Sequence, residues 1–172
     1  MRTPYYPLSN MNFRRPWPSY IPLIALFAGA AVLLPVLSSK FMLIKVQEES
    51  MSPTLADGQW VVVIRGASKI HPGDIAVFVN PMDNGLAVKR CILTEENPPL
   101  VEHGWLVTPW GRWFLTGPQW NRLDGTDRLK DDAFYMVGDN QFRSLDSRTY
   151  GYVPRENIIG RVWIPPGRRN HG

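Results

Sequence analysis

The feature that most constrains this chain is an uncharged apolar stretch near its N-terminus. No side chain in residues 16–39 carries a charge, and residues 20–37 are almost entirely apolar. A membrane-spanning helix needs about 20 apolar residues, so this stretch is long enough to cross a bilayer. A cleaved secretory signal is the alternative, but residues 38–41 contain no small-x-small cleavage site. We therefore predict an uncleaved transmembrane anchor over residues 18–39.

The distribution of charge agrees with an anchor at this end of the chain. The formal net charge of +4 lies entirely in residues 1–40, while residues 41–172 contain 15 basic and 15 acidic side chains. A neutral body does not favour a nucleic-acid partner. Arg14 and Arg15 directly precede the span, and basic residues stay on the cytoplasmic side. We expect residues 1–17 in the cytoplasm and residues 41–172 outside it, with the anchor in the plasma or inner membrane.

Beyond the anchor the sequence predicts a mainly β domain. Short runs rich in β-branched and aromatic residues alternate with turn-forming residues, which is typical of strands joined by tight turns. These runs cover residues 60–64, 74–79, 86–93, 105–108, 113–116, 134–137 and 158–164. No 12-residue window shows an amphipathic helical period, so we predict an antiparallel β-sheet. Residues 121–132 are polar, and we interpret them as an exposed connection.

The sequence carries no pattern for a metal or a cofactor. Cys91 is the single cysteine, which excludes an intramolecular disulfide and any multi-cysteine metal site. The three histidines are scattered and have no carboxylate at the spacing of a zinc protease motif. We therefore expect no metal and no cofactor, and we interpret Cys91 as a small buried apolar side chain.

A lysine is the candidate base for nucleophilic catalysis, because the histidines give no sign of a Ser-His-Asp arrangement. A lysine pKa near 10.4 must fall by roughly 2–3 units before the amine acts as a base near neutrality, and burial lowers it. Lys89 lies in the apolar run 86–93, where alternation places it on the face of Ala87, Cys91 and Leu93. Most lysines in strands lie on a solvated face, so this position alone leaves its role open.

Four segments behind the anchor together resemble type I signal peptidases. In chain order they are Ser-Met-Ser-Pro-Thr-Leu at 50–55, Gly-Asp-Ile-Ala-Val-Phe at 73–78, Lys-Arg at 89–90, and the segment from Gly-Asp-Asn to Asp-Ser-Arg at 138–148. The resemblance covers residues 46–164. It implies an antiparallel β-sheet catalytic domain preceded by one N-terminal transmembrane helix. The implied enzyme is a membrane-bound serine endopeptidase that removes signal peptides from exported preproteins, cleaving after small-x-small sites such as Ala-x-Ala.

The resemblance also assigns roles to residues. Ser50 matches the nucleophile and Lys89 its general base, while Ser52 remains a competing nucleophile by chemistry alone. Three further positions match supporting residues: Ser144, which orients the lysine amine, and Asp146 and Arg148, which brace the site. The partners implied are preproteins carrying signal peptides and membrane lipid.

Two positions, Glu48 and Glu49, depart from the small or apolar residues that are commoner before the nucleophile in this family. Some members have a serine hydroxyl two residues before the nucleophile that helps to bind the oxyanion, but this chain has Glu48 there, and an ionised carboxylate only accepts hydrogen bonds. The backbone N–H of Ser50 is then the donor that the resemblance implies. Two alternatives stay open: a processing peptidase specialised for a few client proteins, and a catalytically silent relative that only binds exported chains.

Overall fold

The chain divides into two compact units, residues 1–37 and residues 38–172. The computed structural model describes residues 19–66, 70–97, 99–124 and 132–165. The predicted cytoplasmic segment 1–17 lies outside the described residues.

The apolar stretch forms one helix, α1 (Ile21–Lys40). Its mean hydropathy of 2.3 and its length of 20 residues suit a membrane span, although a signal sequence passes the same test. Pro22 lies in the first turn, where the missing N–H costs no helical hydrogen bond. The helix begins three residues later than the predicted anchor and ends one residue later. Its placement in a membrane stays a prediction.

The second unit is built mainly from strands. In chain order its elements are β1 (Phe41–Lys45), β2 (Trp60–Arg65), β3 (Ile75–Val79), β4 (Leu86–Leu93), β5 (Leu100–Glu102), β6 (Trp105–Thr108), β7 (Gly111–Phe114), α2 (Gly117–Asp124), β8 (Ala133–Val137), α3 (Ser147–Tyr150), β9 (Val153–Pro154) and β10 (Ile158–Val162). A short 3₁₀ helix (Arg155–Asn157) precedes β10. Seven strands form one sheet in the order β1-β2-β10-β3-β4-β8-β9, and β5-β6-β7 form a second sheet. Every strand pair within the described ranges is antiparallel, which confirms the predicted fold class.

The larger sheet is covered on both faces at its centre. In β3, Ile75 and Val77 pack on one face with Met51, while Ala76 and Phe78 pack on the other. A third apolar cluster joins the two sheets through side chains of β4, β6, β7 and β8, namely Ile92, Leu93, Leu106, Trp113, Tyr135 and Val137. Strands buried on both faces hold their side chains firmly, so residues on β4 occupy defined positions.

Each of the seven predicted strand runs overlaps an observed strand, but the sequence interpretation missed several short elements. Strands β1, β5 and β9 were not predicted, and neither were the two helices α2 and α3. The interpretation of residues 121–132 as a connection is wrong for 121–124, which belong to α2, and residues 125–131 lie outside the described part.

Helix α2 is too short for a helical period to be visible, since its eight residues make about two turns. Its start does carry a local signal. The backbone N–H of Thr116 donates to Gln119 Oε1 at 2.9 Å, the reciprocal half of a capping box with the spacing Thr-x-x-Gln. Trp120 and Leu123 then pack against the cluster between the two sheets.

Candidate active site

Ser50 lies in the loop between β1 and β2, residues 46–59, which we call the serine loop. Its side chain is buried, and the adjacent Met51 and the nearby Leu55 are packed in the apolar core. A backbone bond from Leu55 N to Met51 O at 2.9 Å closes a turn directly after the serine. Two buried apolar anchors therefore fix the backbone that carries the hydroxyl. Met51 belongs to the apolar core.

Lys89 reaches Ser50 from the centre of the larger sheet. It pairs in register with Ala76 of β3, and both lie on the face that also holds Ala87 and Cys91. The side chain is 6% exposed. Its Nζ donates to Ser50 Oγ at 2.5 Å, the one hydrogen bond that this amine makes within the described residues. The structure thus brings the predicted nucleophile and the predicted base into direct contact, although they lie 39 residues apart in sequence.

Burial lowers the pKa of Lys89 below its ordinary value of 10.5. Removing an ammonium group from water disfavours its charged form, and this desolvation is the largest cause of the shift. The carboxylates of Asp146, Glu48 and Asp139 oppose it, and the Arg148 guanidinium adds to it. A larger share of Lys89 is therefore neutral near neutrality than for a lysine in water, as a proton acceptor requires.

Ser52 lies in the serine loop two residues further on. Its backbone N–H donates to the Glu49 carbonyl at 3.0 Å, and its peptide bond to Pro53 is cis. The amine of Lys89 contacts Ser50 and makes no hydrogen bond to Ser52. The geometry therefore favours Ser50 over Ser52 as the residue paired with a base.

The segment after β8 is held by a buried ion pair. Residues 138–146, which we call the GDN loop, connect β8 to α3. Asp146 is 0% exposed, and its carboxylate accepts from Arg148 Nε at 2.9 Å and from Arg148 Nη2 at 2.8 Å. The same carboxylate caps α3 and accepts from Gly138 N at 3.0 Å. Asp146 and Arg148 thus lie where a bracing role requires them, and that role stays a prediction.

Ser144 lies beside the serine loop, and its hydroxyl makes no hydrogen bond to the described residues. Its Oγ is buried and has no partner among the described residues, so the predicted bond to the Lys89 amine is not formed in this structure. A Cβ added to Gly138 would lie 2.2 Å from Ser144 Oγ and 2.5 Å from the Ser50 carbonyl oxygen. Ser144, Gly138 and Ser50 are therefore in close contact, and the orienting role of Ser144 stays a prediction.

A second ion pair, between Arg90 and Asp139, was not singled out from the sequence. Arg90 Nε and Nη2 donate to the two oxygens of Asp139 at 2.8 and 2.6 Å, the bidentate geometry that is strongest for this pair. Arg90 also donates to the Gly73 carbonyl at 2.8 Å and to Thr54 Oγ1 at 3.3 Å. One side chain thus ties together residues from all four motifs. The sequence signal for Arg90 was that it directly follows Lys89. Neighbours on a strand face opposite sides of a sheet, so this signal did not predict its link to Asp139.

The GDN loop is also fastened to the smaller sheet and to the serine loop. Trp113 Nε1 donates to the Gly138 carbonyl at 3.3 Å, and Gln141 Nε2 donates to the Arg112 carbonyl at 2.6 Å. The backbone N–H of Asn140 donates to the Ser50 carbonyl at 3.1 Å. The two loops that carry the predicted site residues therefore form one hydrogen-bonded assembly.

Cys91 is fully buried two residues after Lys89, which confirms its interpretation as a small apolar side chain. Burial raises the pKa of its thiol, so the reactive thiolate is disfavoured. Within the described ranges, no group of three or more His, Cys, Asp or Glu side chains is arranged to hold a metal ion.

Comparison with known proteins identifies the family. The family model of signal peptidase, peptidase S26, matches residues 18–94 and 115–165. A signal peptidase I from Leptolyngbya laminosa is 33% identical over 69% of this chain and 65% of its own length. A probable signal peptidase I-1 from Synechocystis is 32% identical over 90% of this chain and 86% of its own length, and the signal peptidase I V from Bacillus subtilis is 26% identical over 78% and 90%.

The matched residues include the serine loop, β3, β4 and the GDN loop, so the comparison covers all four motifs. It confirms the resemblance drawn from those motifs and, with the apolar helix, indicates a membrane-anchored protein. The chain belongs to the signal peptidase family, peptidase S26.

Proposed function

We propose that this chain is a serine endopeptidase that removes N-terminal signal peptides from exported preproteins, with Ser50 as nucleophile and Lys89 as general base. Membership of the signal peptidase family supports the reaction. The observation that supports the residue assignment is the 2.5 Å contact between the buried Lys89 Nζ and Ser50 Oγ. An amine that is held in a dry site against a hydroxyl is arranged to remove its proton.

The reaction proceeds by acyl transfer. Neutral Lys89 accepts the Ser50 proton while Oγ attacks the carbonyl carbon of the scissile peptide bond. Protonated Lys89 then gives the proton to the departing amine, which leaves an ester between the signal peptide and Ser50. Lys89 next removes a proton from a water molecule as the water attacks the ester carbonyl, and it returns this proton to Ser50 Oγ when the ester C–O bond breaks and the signal peptide leaves with a free carboxyl group. Lowering the lysine pKa by burial keeps the base available at the start of each half-reaction.

The oxyanion of each tetrahedral intermediate needs hydrogen-bond donors. The backbone N–H of Ser50 supplies one. Glu48 occupies the position from which a serine hydroxyl donates in some relatives, and its ionised carboxylate cannot donate. The proposed site therefore relies on backbone donors.

The substrate is proposed to be a preprotein cleaved after a small-x-small sequence, bound as an extended strand along a sheet edge. We place residues 1–17 in the cytoplasm, the anchor at 18–39 in the plasma or inner membrane, and residues 41–172 on the outer side. An enzyme and a substrate held in the same membrane meet at a high effective concentration. Membrane lipid is thus the second proposed partner.

Replacing either member of the dyad tests the proposal. We expect Ser50→Ala and Lys89→Ala to reduce cleavage of an Ala-x-Ala preprotein in detergent to background, because each loses one partner of the proton transfer. Ser52→Ala is the matched control from the same loop and should retain activity. Processing by Ser50→Ala at the wild-type rate, or loss of activity in Ser52→Ala alone, would contradict the assignment of the nucleophile.

The alternatives are separated by two further measurements. Glu48 in place of a donor motivates a catalytically silent relative, and a serine-directed boronate that labels the wild type but not Ser50→Ala argues against it. A processing peptidase with few clients would cleave only one or two members of a panel of unrelated preproteins, whereas a general enzyme would cleave most of them.

A further inference from the structure

The serine loop passes from solvent into the core at Ser50. Residues 47–49 are exposed, whereas Ser50 and Met51 are buried. The GDN loop shows the same change, since residues 142–143 are exposed and Asp146 is buried. A peptide substrate must reach the proposed nucleophile from the solvent side, so it passes the exposed part of each loop.

An ion pair joins the exposed parts of the two loops. Arg143 Nη1 of the GDN loop lies 3.1 Å from Glu49 Oε2 of the serine loop, and the two side chains are 70% and 57% exposed. Exposed pairs of this kind contribute little to stability. The two loops are already joined by the backbone bond from Asn140 N to the Ser50 carbonyl at 3.1 Å. The main effect of the pair is therefore on the charge at this surface, where each side chain neutralises the other.

Covalent geometry keeps Glu49 close to any peptide bond that Ser50 attacks. Glu49 directly precedes Ser50, and consecutive Cα atoms are about 3.8 Å apart. The scissile carbonyl carbon must approach Ser50 Oγ to about 3–3.5 Å. The scissile bond thus comes within about 10 Å of the Glu49 Cα, which is about the Debye length at 0.1 M salt. Charges on the neighbouring substrate residues therefore interact with the ion pair.

The other charged side chains of the two loops do not obscure this effect. Asp139 and Asp146 form ion pairs with arginines at 2.6 and 2.8 Å. Glu48 and Asp57 are exposed. These four carboxylates are the same in every variant proposed below, so they affect each variant equally.

We propose that Glu49 and Arg143 are specificity-determining residues: because they neutralise each other, the enzyme accepts preproteins with acidic or basic residues beside the cleavage site. This inference rests on the proposed role of Ser50 as the nucleophile. If Glu49 lost its charge, Arg143 would attract an acidic substrate residue and repel a basic one. If Arg143 lost its charge, Glu49 would have the opposite effect.

The test is kcat/KM of the full chain in detergent for three peptides with the same Ala-x-Ala site. The peptides differ only in the residue after the cut, which is Lys, Gln or Glu. At low salt we expect Glu49→Gln to shift the ratio of the Lys peptide to the Glu peptide about threefold toward the Glu peptide. Arg143→Gln should shift the same ratio about threefold toward the Lys peptide. Both variants should cleave the uncharged Gln peptide at about the wild-type rate.

Two further variants separate charge from structure. The double variant Glu49→Arg/Arg143→Glu reverses the pair and should restore the wild-type ratio. Arg155→Gln is the matched control, because it removes one member of an exposed ion pair with Asp132 that lies outside the two loops. It should leave the ratio unchanged. High salt should reduce the shifts in both single variants.

The outcomes that overturn the proposal are distinct. An unchanged ratio in both single variants, or a shift in the same direction in both, overturns the role of the pair in specificity. An equal loss of activity on all three peptides would assign the pair a structural role and would also overturn it. If the wild type cleaves none of the peptides, the proposed peptidase function fails and this inference with it, which differs from cleavage with an unshifted ratio.

Discussion

Lys89 places a long cationic side chain inside a sheet that is otherwise apolar at this point. Its backbone pairs with Ala76 of β3, its amine contacts Ser50 of the serine loop, and the residue is 6% exposed. The unfolded chain would leave this amine in water with its ordinary pKa of 10.5, whereas burial lowers the pKa in the folded protein. The same burial that prepares the base therefore opposes folding.

The pH dependence of stability follows from this difference. Between the lowered pKa and 10.5 the unfolded chain binds a proton that the folded chain does not, so the contribution of Lys89 to the free energy of unfolding rises with pH. We expect the wild type to gain stability relative to Lys89→Met as the pH is raised from neutrality toward 10.5. Urea unfolding of both proteins in detergent at several pH values measures this difference in stability. A difference between the two proteins that does not change with pH would contradict the shift.

Two aspartate–arginine ion pairs, Asp146 with Arg148 and Asp132 with Arg155, differ in burial, and we expect them to contribute differently to the free energy of unfolding. Asp146→Ala leaves Arg148 as a buried charge without its partner, which costs about 3–5 kcal/mol in the free energy of unfolding. Asp132→Ala is the matched control, because its pair with Arg155 is exposed and is expected to contribute about 0–1 kcal/mol. Chemical denaturation of both variants compares them. Similar losses in the two proteins would contradict the structural role of the buried pair.

The GDN loop is the element on which the site depends. It bonds to the serine loop through Asn140, to β4 through Asp139, and to β7 through the Trp113 indole. Loops are usually the variable and mobile parts of a fold, but this loop is fixed by contacts with each of its neighbours. The distance between nucleophile and base is thus maintained by an element that contributes neither of them.

Gly138 is a position at which this loop leaves no room for a side chain beside Ser50. A methyl group in Gly138→Ala would meet Ser144 Oγ at 2.2 Å and the Ser50 carbonyl at 2.5 Å, so one of the two loops must move. A displacement near 1 Å in a catalytic group costs about 100-fold in rate, and we expect a loss of kcat of this order. Gly117→Ala is the control, since nothing lies within 4 Å of its added Cβ. Preprotein cleavage assays measure both, and full activity in Gly138→Ala would contradict the close packing.

At the scale of the whole molecule, the proposed catalytic residues and most of the predicted membrane anchor lie in different units of the chain. Among the residues that the structure describes, the buried members of the apolar clusters lie between residues 46 and 162. The proposed catalytic residues belong to the second unit as well. We therefore expect the second unit to fold and to hold the proposed dyad by itself.

A truncated chain of residues 38–172 tests this separation. We expect it to cleave a soluble Ala-x-Ala peptide at the rate of the full chain, because the site is intact. Its cleavage of a membrane-embedded preprotein should fall by a factor on the order of 100, since the shared membrane no longer raises the local concentration of enzyme and substrate. Equal activity of the two chains on the membrane substrate would contradict the role of the anchor.

Patterns of neighbouring residues predicted most of the strands and indicated the family. Runs of β-branched and aromatic residues predicted seven of the ten strands in the described part of the chain, and the four motifs indicated the family that the comparison confirms. Helix α2 was missed, because its eight residues are too few for a periodic signal. The link between Arg90 and Asp139 was also missed, since its members are 49 residues apart and no local rule joins them.

The sequence by itself determined the apolar span, the antiparallel β domain and the identity of Ser50 and Lys89 as candidates, because each is encoded in neighbouring residues. Only the tertiary structure decided that the amine meets Ser50 and not Ser52, and that the Ser144 hydroxyl lies close to the serine loop without a hydrogen bond to the described residues. The physical reason is that proton transfer and Coulomb interactions depend on distance and burial, which arise when segments far apart in the chain pack together.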